Sequence, residues 1–208
     1  MQPGLQAPPS IQSIMDTYRV NISAKAEVIW QPLYDYQAVV AAATASQLFF
    51  QVPVGQSSKT LNDTNMDLGG NLPAGQMFVV TSIEVDFTPD LTISGTAVDN
   101  QFLDDVYDFY RQGNLVFNIG SKPFLKQGPL KTFPPTNRLA GFSSISTTAT
   151  TTTQDYNYAT AAGKEFQVRG LLLESSQNFS VDIQNRLALS TTGRAGVKLN
   201  GWLIRNAQ

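Results

Sequence analysis

Between Met77 and Thr88 the chain alternates. Met77, Val79, Ile83, Val85 and Phe87 fall on one side of an extended backbone, and Ser82, Glu84 and Asp86 on the other. Period two is what a strand with one buried and one solvated face requires, and a helix would scatter the same residues around its axis. The pattern returns in Leu115, Phe117 and Ile119. It returns again in Phe179, Val181, Ile183, Leu187 and Leu189, set against Ser180, Asp182, Gln184, Arg186 and Ser190. A turn at Thr191–Gly193 leads to a closing strand with Ala195, Val197, Leu199 and Leu203 inward and Lys198 and Asn200 outward. Phe166–Leu173 is one apolar run. Gln47–Val54 reads as a strand with Leu48, Phe50, Val52 and Val54 on one face. Six strands follow from these patterns and two more are candidates, Leu91–Ile93 among them. There is no βαβ rhythm and no internal repeat, which restricts the fold to an antiparallel sandwich or barrel.

Two segments depart from this rhythm. Phe102, Val106, Phe109 and Tyr110 recur at helical spacing, and Gly113 stands where a C-terminal cap belongs, so Asn100–Gln112 reads as one short helix between strands. Near the start, Ser10 is placed to cap a helix whose face carries Ile11, Ile14, Met15 and Tyr18. Such a helix packs on its own domain, docks on a neighbouring subunit or lies on a membrane; these four residues are the candidate arm contacts. Leu61–Gly75 is rich in Asn, Asp and Gly and reads as a long turn region. Pro123, Pro129, Pro134 and Pro135 exclude a central strand from 121–135 and predict a stiff surface loop. Residues 143–160 are Ser/Thr-rich and read as a mobile loop or an exposed edge strand. The expected division is an arm over 1–45 and a β-domain over 46–208.

Composition removes whole classes of chemistry. The 208 residues include no Cys and no His, so disulfides, thiolate nucleophiles, zinc fingers and Ser-His-Asp triads are excluded. Charged residues are 14% of the chain and the net charge is −2, without the basic face of a dedicated nucleic-acid binder. Arg19 and Lys25 are the only cations in the first forty-five residues, so no basic genome-binding arm and no signal peptide are expected. A surface made polar by Ser, Thr, Asn and Gln is cheaper to desolvate than a charged one, which points toward assembly.

Three clusters are candidates for chemistry. Asp104, Asp105 and Asp108 group on the second helix, but adjacent acids on one short helix do not straddle a sugar as a glycosidase pair must, so a solvated helix face is expected. Asn62–Asp67 resembles the start of a calcium loop; with Asp63 first, Leu68 stands where the turn glycine belongs and Ala74 where the closing acid belongs, so a turn is expected. Lys122, Lys126, Lys131 and Arg138, with Phe124 and Phe133 between them, form a candidate basic loop facing a genome, a membrane or a neighbour. Trp30, Tyr34, Tyr36, Tyr156 and Tyr158 are the aromatics available to stack on sugar rings in a carbohydrate-binding module or phage receptor-binding protein.

The run Gly113-Asn114-Leu115-Val116-Phe117-Asn118-Ile119-Gly120-Ser121-Lys122-Pro123-Phe124, the closing strand Val197–Arg205 and the long unequal loops give residues 46–208 a layout that resembles the jelly-roll capsid proteins of icosahedral viruses, particularly tailless phages. The resemblance implies an all-β, antiparallel, eight-stranded single jelly-roll sandwich with one inserted helix and an N-terminal arm. It implies a virion structural protein, not an enzyme, without cofactor, metal or small-molecule substrate, assembled in the host cytoplasm. Its partners would be copies of itself in trimeric, pentameric or hexameric capsomers and other virion proteins. The missing basic arm leaves the genome to an internal membrane or a separate basic protein, with direct nucleic-acid binding weak.

Overall fold

A computed structural model describes residues 10–18, 21–22, 25–42, 46–90, 101–135, 137–147, 152–185 and 188–206, with backbone alone at 11, 101–104, 137–147, 152–162, 170 and 206. Along the chain run α1 (Ile11–Tyr18), β1 (Ala26–Trp30), β2 (Leu33–Val39), β3 (Ser46–Phe49), β4 (Gln76–Pro89), α2 (Gln101–Gln112), β5 (Asn114–Ile119) and β6 (Lys122–Gln127). A short 3-10 turn at Leu130–Thr132 follows, then β7 (Asn137–Thr147), β8 (Thr152–Ala162), β9 (Phe166–Glu174), β10 (Phe179–Gln184) and β11 (Gly193–Asn206). The protein is mostly β. One antiparallel sheet has the order β1-β11-β4-β9, with β2 also on β11; a second has the order β3-β10-β5-β6; β7 and β8 form a two-stranded sheet of their own.

β1 and β2 share one side of β11. β1 takes Trp202–Asn206 and β2 takes Gly193–Leu199. Between them lie Gln31 and Pro32, where proline cannot donate to the ladder. Treated as one bent strand, they leave a nested set of antiparallel pairs: β1/β2 with β11, β3 with β10, β4 with β9, and β5 with β6. Residues 26–39, read from sequence as part of an arm, are therefore strands of the main sheet. Candidate strand Leu91–Ile93 and the inward position Leu187 lie outside the described residues.

Both sheets feed one core. Phe78, Val80, Ile83, Val85, Leu173, Val197 and Leu199 come from the first, and Phe49, Leu115, Phe117, Phe179, Val181 and Ile183 from the second. Full burial of each such side chain contributes about 1.5–3 kcal/mol. α2 closes one end: its Phe109 stacks on Phe87 with ring centroids 4.5 Å apart, and Gly113 caps it by donating to the Phe109 carbonyl. Beyond the end of β9, β4 finds substitute partners. The Tyr110 hydroxyl accepts from the Phe87 N–H and donates to the Val85 carbonyl, both at 3.2 Å, and the Val85 N–H donates to the Phe133 carbonyl.

The alternation in β4 is interrupted, and the expected inward set is corrected. Asn200 pairs with Ser82 but the next residue, Gly201, pairs with Val80, leaving Thr81 as the extra residue of a β-bulge. The bulge reverses the phase, so Phe78 and Val80 join Ile83, Val85 and Phe87 in the main core while Met77 and Val79 face the other way. A Cβ on Gly201 would lie 2.0 Å from the Val79 carbonyl oxygen, so only glycine fits where the bulged strand approaches.

Two other expectations change. Gln47–Val54 is not one alternating strand: β3 stops at Phe49, and Phe50 turns back at φ +68°, so that Phe49 and Phe50 are both buried while Leu48 and Val54 are exposed. Lys122–Gln127 is a strand, not a loop. Its proline is tolerated because β6 is an edge, paired among the described strands with β5 alone. The rest of that segment drives Leu130 and Phe133 into the core.

Candidate interaction surfaces

The phase reversal at Thr81 leaves an apolar strip on the outer face of the first sheet. Met77, Val79, Val28, Leu172, Trp202 and Ile204 make it, and α1 lies over it with Ile14 only 2% exposed. Ser10 caps this helix as its sequence suggests, accepting from the Ser13 N–H at 3.1 Å. Of the four candidate inter-subunit contacts, Ile14 and Tyr18 therefore face the chain's own sheet, and burial raises the Tyr18 hydroxyl above its ordinary pKa. Met15 is half-buried, and the Ile11 side chain lies outside the described residues. The signal that this helix packs at home lay in the β4 bulge, which leaves no trace in the helix's own sequence.

The basic residues sit on three different elements. Lys122 and Lys126 are exposed on β6, Lys131 is exposed on the 3-10 turn, and Arg138 stands in β7 opposite Ala161, its side chain outside the described residues. The aromatics meant to interleave with them divide. Phe124 is 47% exposed, but Phe133 is fully buried against Phe166, so it has no face for a nucleotide base. Lys131 instead shares the rim of a cavity of about 340 Å³ with Arg111, Tyr107 and Pro135.

Asp105 is not part of a solvated helix face. Asp105 is 4% exposed and accepts from the Ser190 N–H at 2.8 Å, the Thr191 N–H at 2.7 Å and the Thr191 hydroxyl at 2.6 Å. It fastens α2 to the turn before β11, a tie across 86 residues that local spacing cannot reveal. Asp108 accepts from Gln112 on its own helix, and the side chain of Asp104 lies outside the described residues. In the calcium-like stretch, Asp63 accepts from the Thr60 N–H and hydroxyl, both at 2.9 Å, and pairs with Arg194 at 2.8 Å. The Thr60 backbone N–H above all holds its carboxyl below the usual range. These contacts make a closed turn. Among the described residues no group of three metal-ligating side chains comes together.

The sugar-stacking candidates do not form one platform. Trp30 is exposed and edge-on to Trp202, 5.0 Å between centroids, on β1. Tyr34 and Tyr36 are on β2. The Tyr34 hydroxyl donates to the Leu61 carbonyl, and the Tyr36 ring lies across Gly196, where a Cβ would come within 2.1 Å, and under the Arg194 guanidinium at 4.5 Å. Tyr156 and Tyr158 stand in β8 opposite Ser143 and Gly141; their side chains lie outside the described residues.

Beside Tyr36 a polar cluster is buried on the same outer face. Asn200 donates to Ser82 at 3.1 Å and to Glu84, and Ser82 donates to Glu165 at 2.5 Å. Burial holds the Asp86 carboxyl above its ordinary range; Glu84 adds to this, while the Phe87 N–H and Arg194 act against it. A carboxyl whose pKa is raised on folding binds its proton more tightly in the folded state, so its contribution is full at low pH and is lost as pH rises through the folded pKa. Asp86→Asn is therefore expected to raise the melting temperature at neutral pH, with the gain shrinking as pH falls to about 4. A lower melting temperature for D86N at neutral pH would mean that the Phe87 N–H and Arg194 together outweigh desolvation.

The remaining face belongs to the four-stranded sheet. Across it run Leu48, Asp182, Val116 and Lys126 in one row, with Ser46, Gln184 and Asn114 in the next. Leu48 is 47% exposed on this face, and most of the surroundings are uncharged amides and hydroxyls. Such a surface can be buried against protein at little desolvation cost. Comparison of the chain with protein-family models, with curated proteins and with solved structures found no match.

Proposed function

We propose that this chain is a virion structural protein, a single jelly-roll capsid subunit whose work is assembly. The nested strand pairing is the observation that carries the reading. With β1/β2 counted as one strand and β7–β8 set aside, eight strands remain, and pairs first–eighth, second–seventh, third–sixth and fourth–fifth describe a long hairpin rolled into two four-stranded sheets, the jelly-roll order. A sandwich of this kind holds its loops rigid at the two ends. The low-charge surface lets copies associate around symmetry axes without desolvating many ions. With 14 basic against 16 acidic residues, the genome is met by another molecule, a basic protein or an internal membrane.

The expected result is that the purified protein, followed by light scattering over a concentration series, passes from the single-chain mass of 22.7 kDa to a defined multiple of it. A single-chain mass up to millimolar concentration, together with binding on a glycan array, would replace this reading with that of a sugar-binding module.

A further inference from the structure

The β7–β8 ribbon has no place in the nested pairing. Its eleven residue pairs run from Asn137↔Ala162 to Thr147↔Thr152, and neither strand pairs with any other described strand. No other helix or described strand packs along it. An isolated two-stranded ribbon is marginal in water and needs a third strand or a covered face. At about 3.4 Å per residue it is roughly 37 Å long, nearly twice the six-residue strands β5, β6 and β10.

Its sequence narrows the partner. By register, Leu139, Ile145, Tyr156 and Tyr158 fall on one face, and Ala140, Phe142, Ala159 and Ala161 on the other. Arg138 and Asp155 are the only charges in its 22 residues, and it contains no Lys, Glu or Pro, the residues that usually blunt an open strand edge. Nucleic acid and anionic membranes both select for cations, so neither fits. A protein surface of low charge does. The same chain carries one in the outer face of its four-stranded sheet, with Leu48 exposed on it and, among the described strands, β3 and β6 as its edges. One face of a ribbon 37 Å long and about 10 Å wide presents roughly 370 Å², less than half the 800 Å² per partner of a standard interface, so each contact is small and the assembly gains its stability by repeating it.

We propose that the β7–β8 ribbon is an assembly arm that docks on the four-stranded sheet of a second copy of this chain. This rests on the reading of the protein as an assembling subunit and names the element responsible. The contact is heterologous, ribbon on one copy and sheet on the next, and repeating it generates a ring when the rotation between copies closes and an open filament when it does not.

The test replaces residues 139–160 with Asn-Gly, the two-residue turn suited to joining paired Arg138 and Ala161. Under conditions where the unaltered chain is multimeric, the shortened chain is expected to keep its melting temperature and to show the mass of one subunit. A shortened chain that assembles to the same multiple overturns the proposal. Should that variant fail to fold, amide hydrogen exchange on the unaltered chain decides: the β7 and β8 amides are expected to slow by roughly tenfold or more on passing from dilute to assembled protein. Equal exchange in the two states overturns it. An unaltered chain that stays a single subunit at every concentration removes the assembly reading and this inference together.

Discussion

Asp35→Ala is expected to destabilise the fold by about 3–5 kcal/mol, the range seen when one member of a buried ion pair is removed. Asp35 is fully buried on β2, where its carboxylate pairs with the Lys59 ammonium and accepts from the Phe50 N–H at 2.7 Å. The loss has two physical sources. Lys59, itself mostly buried, is left without its counter-charge, and the Phe50 amide loses its acceptor in the interior. Phe50 is held at φ +68°, a conformation that costs a non-glycine residue about 1–3 kcal/mol, and it drives its ring into the core beside Phe179. Asp35 thus fixes the turn by which the chain leaves β3. Denaturant midpoints with the slope held constant measure the effect, and a loss under about 1 kcal/mol would show the pair to be solvated. Replacing both partners with apolar residues of similar volume is expected to recover much of the stability, because the unpaired charge goes with the pair.

Phe179→Ala is expected to cost about 3–5 kcal/mol through the cavity it leaves. Its ring lies 5.5 Å from that of Phe50 and 6.5 Å from that of Phe117, centroid to centroid, so three aromatic side chains lose their shared packing. Its backbone should persist, because its N–H donates to the Gly70 carbonyl at 2.7 Å and its carbonyl accepts from the Gln51 side chain at 3.0 Å. The expected signature is a lower unfolding midpoint with the β-sheet circular dichroism of the folded state unchanged. A variant within about 1 kcal/mol of the parent would mean that the site collapses around the gap.

The strands that alternate without interruption were legible in the sequence. β5, β10 and the first half of β11 bury the residues their period assigns them, Leu115, Phe117, Val181, Ile183, Val197 and Leu199 among them. Both helices were legible too, because Ser10 and Gly113 mark their ends by local chemistry. Where the reading failed, a non-local cause intervened. One bulged residue, Thr81, moved Met77 and Val79 to the opposite face, and the apolar strip so made is what α1 covers, packing on its own domain as one reading of its sequence had it. Asp105 looked like surface because the turn it holds lies 86 residues away. β6 was hidden by Pro123, whose meaning depends on whether the strand is an edge, and edges exist only once the sheet is assembled. The ribbon presented low-complexity threonine, and its pairing emerges only from the register of two strands.

The proposed capsid subunit would close into a symmetric shell or capsomer. Negative-stain electron microscopy of the concentrated protein tests it most directly. Particles of uniform size with rotational symmetry are expected, either rings of a fixed number of subunits or closed shells. A field of single-subunit particles at concentrations where a stable interface would be saturated would contradict it.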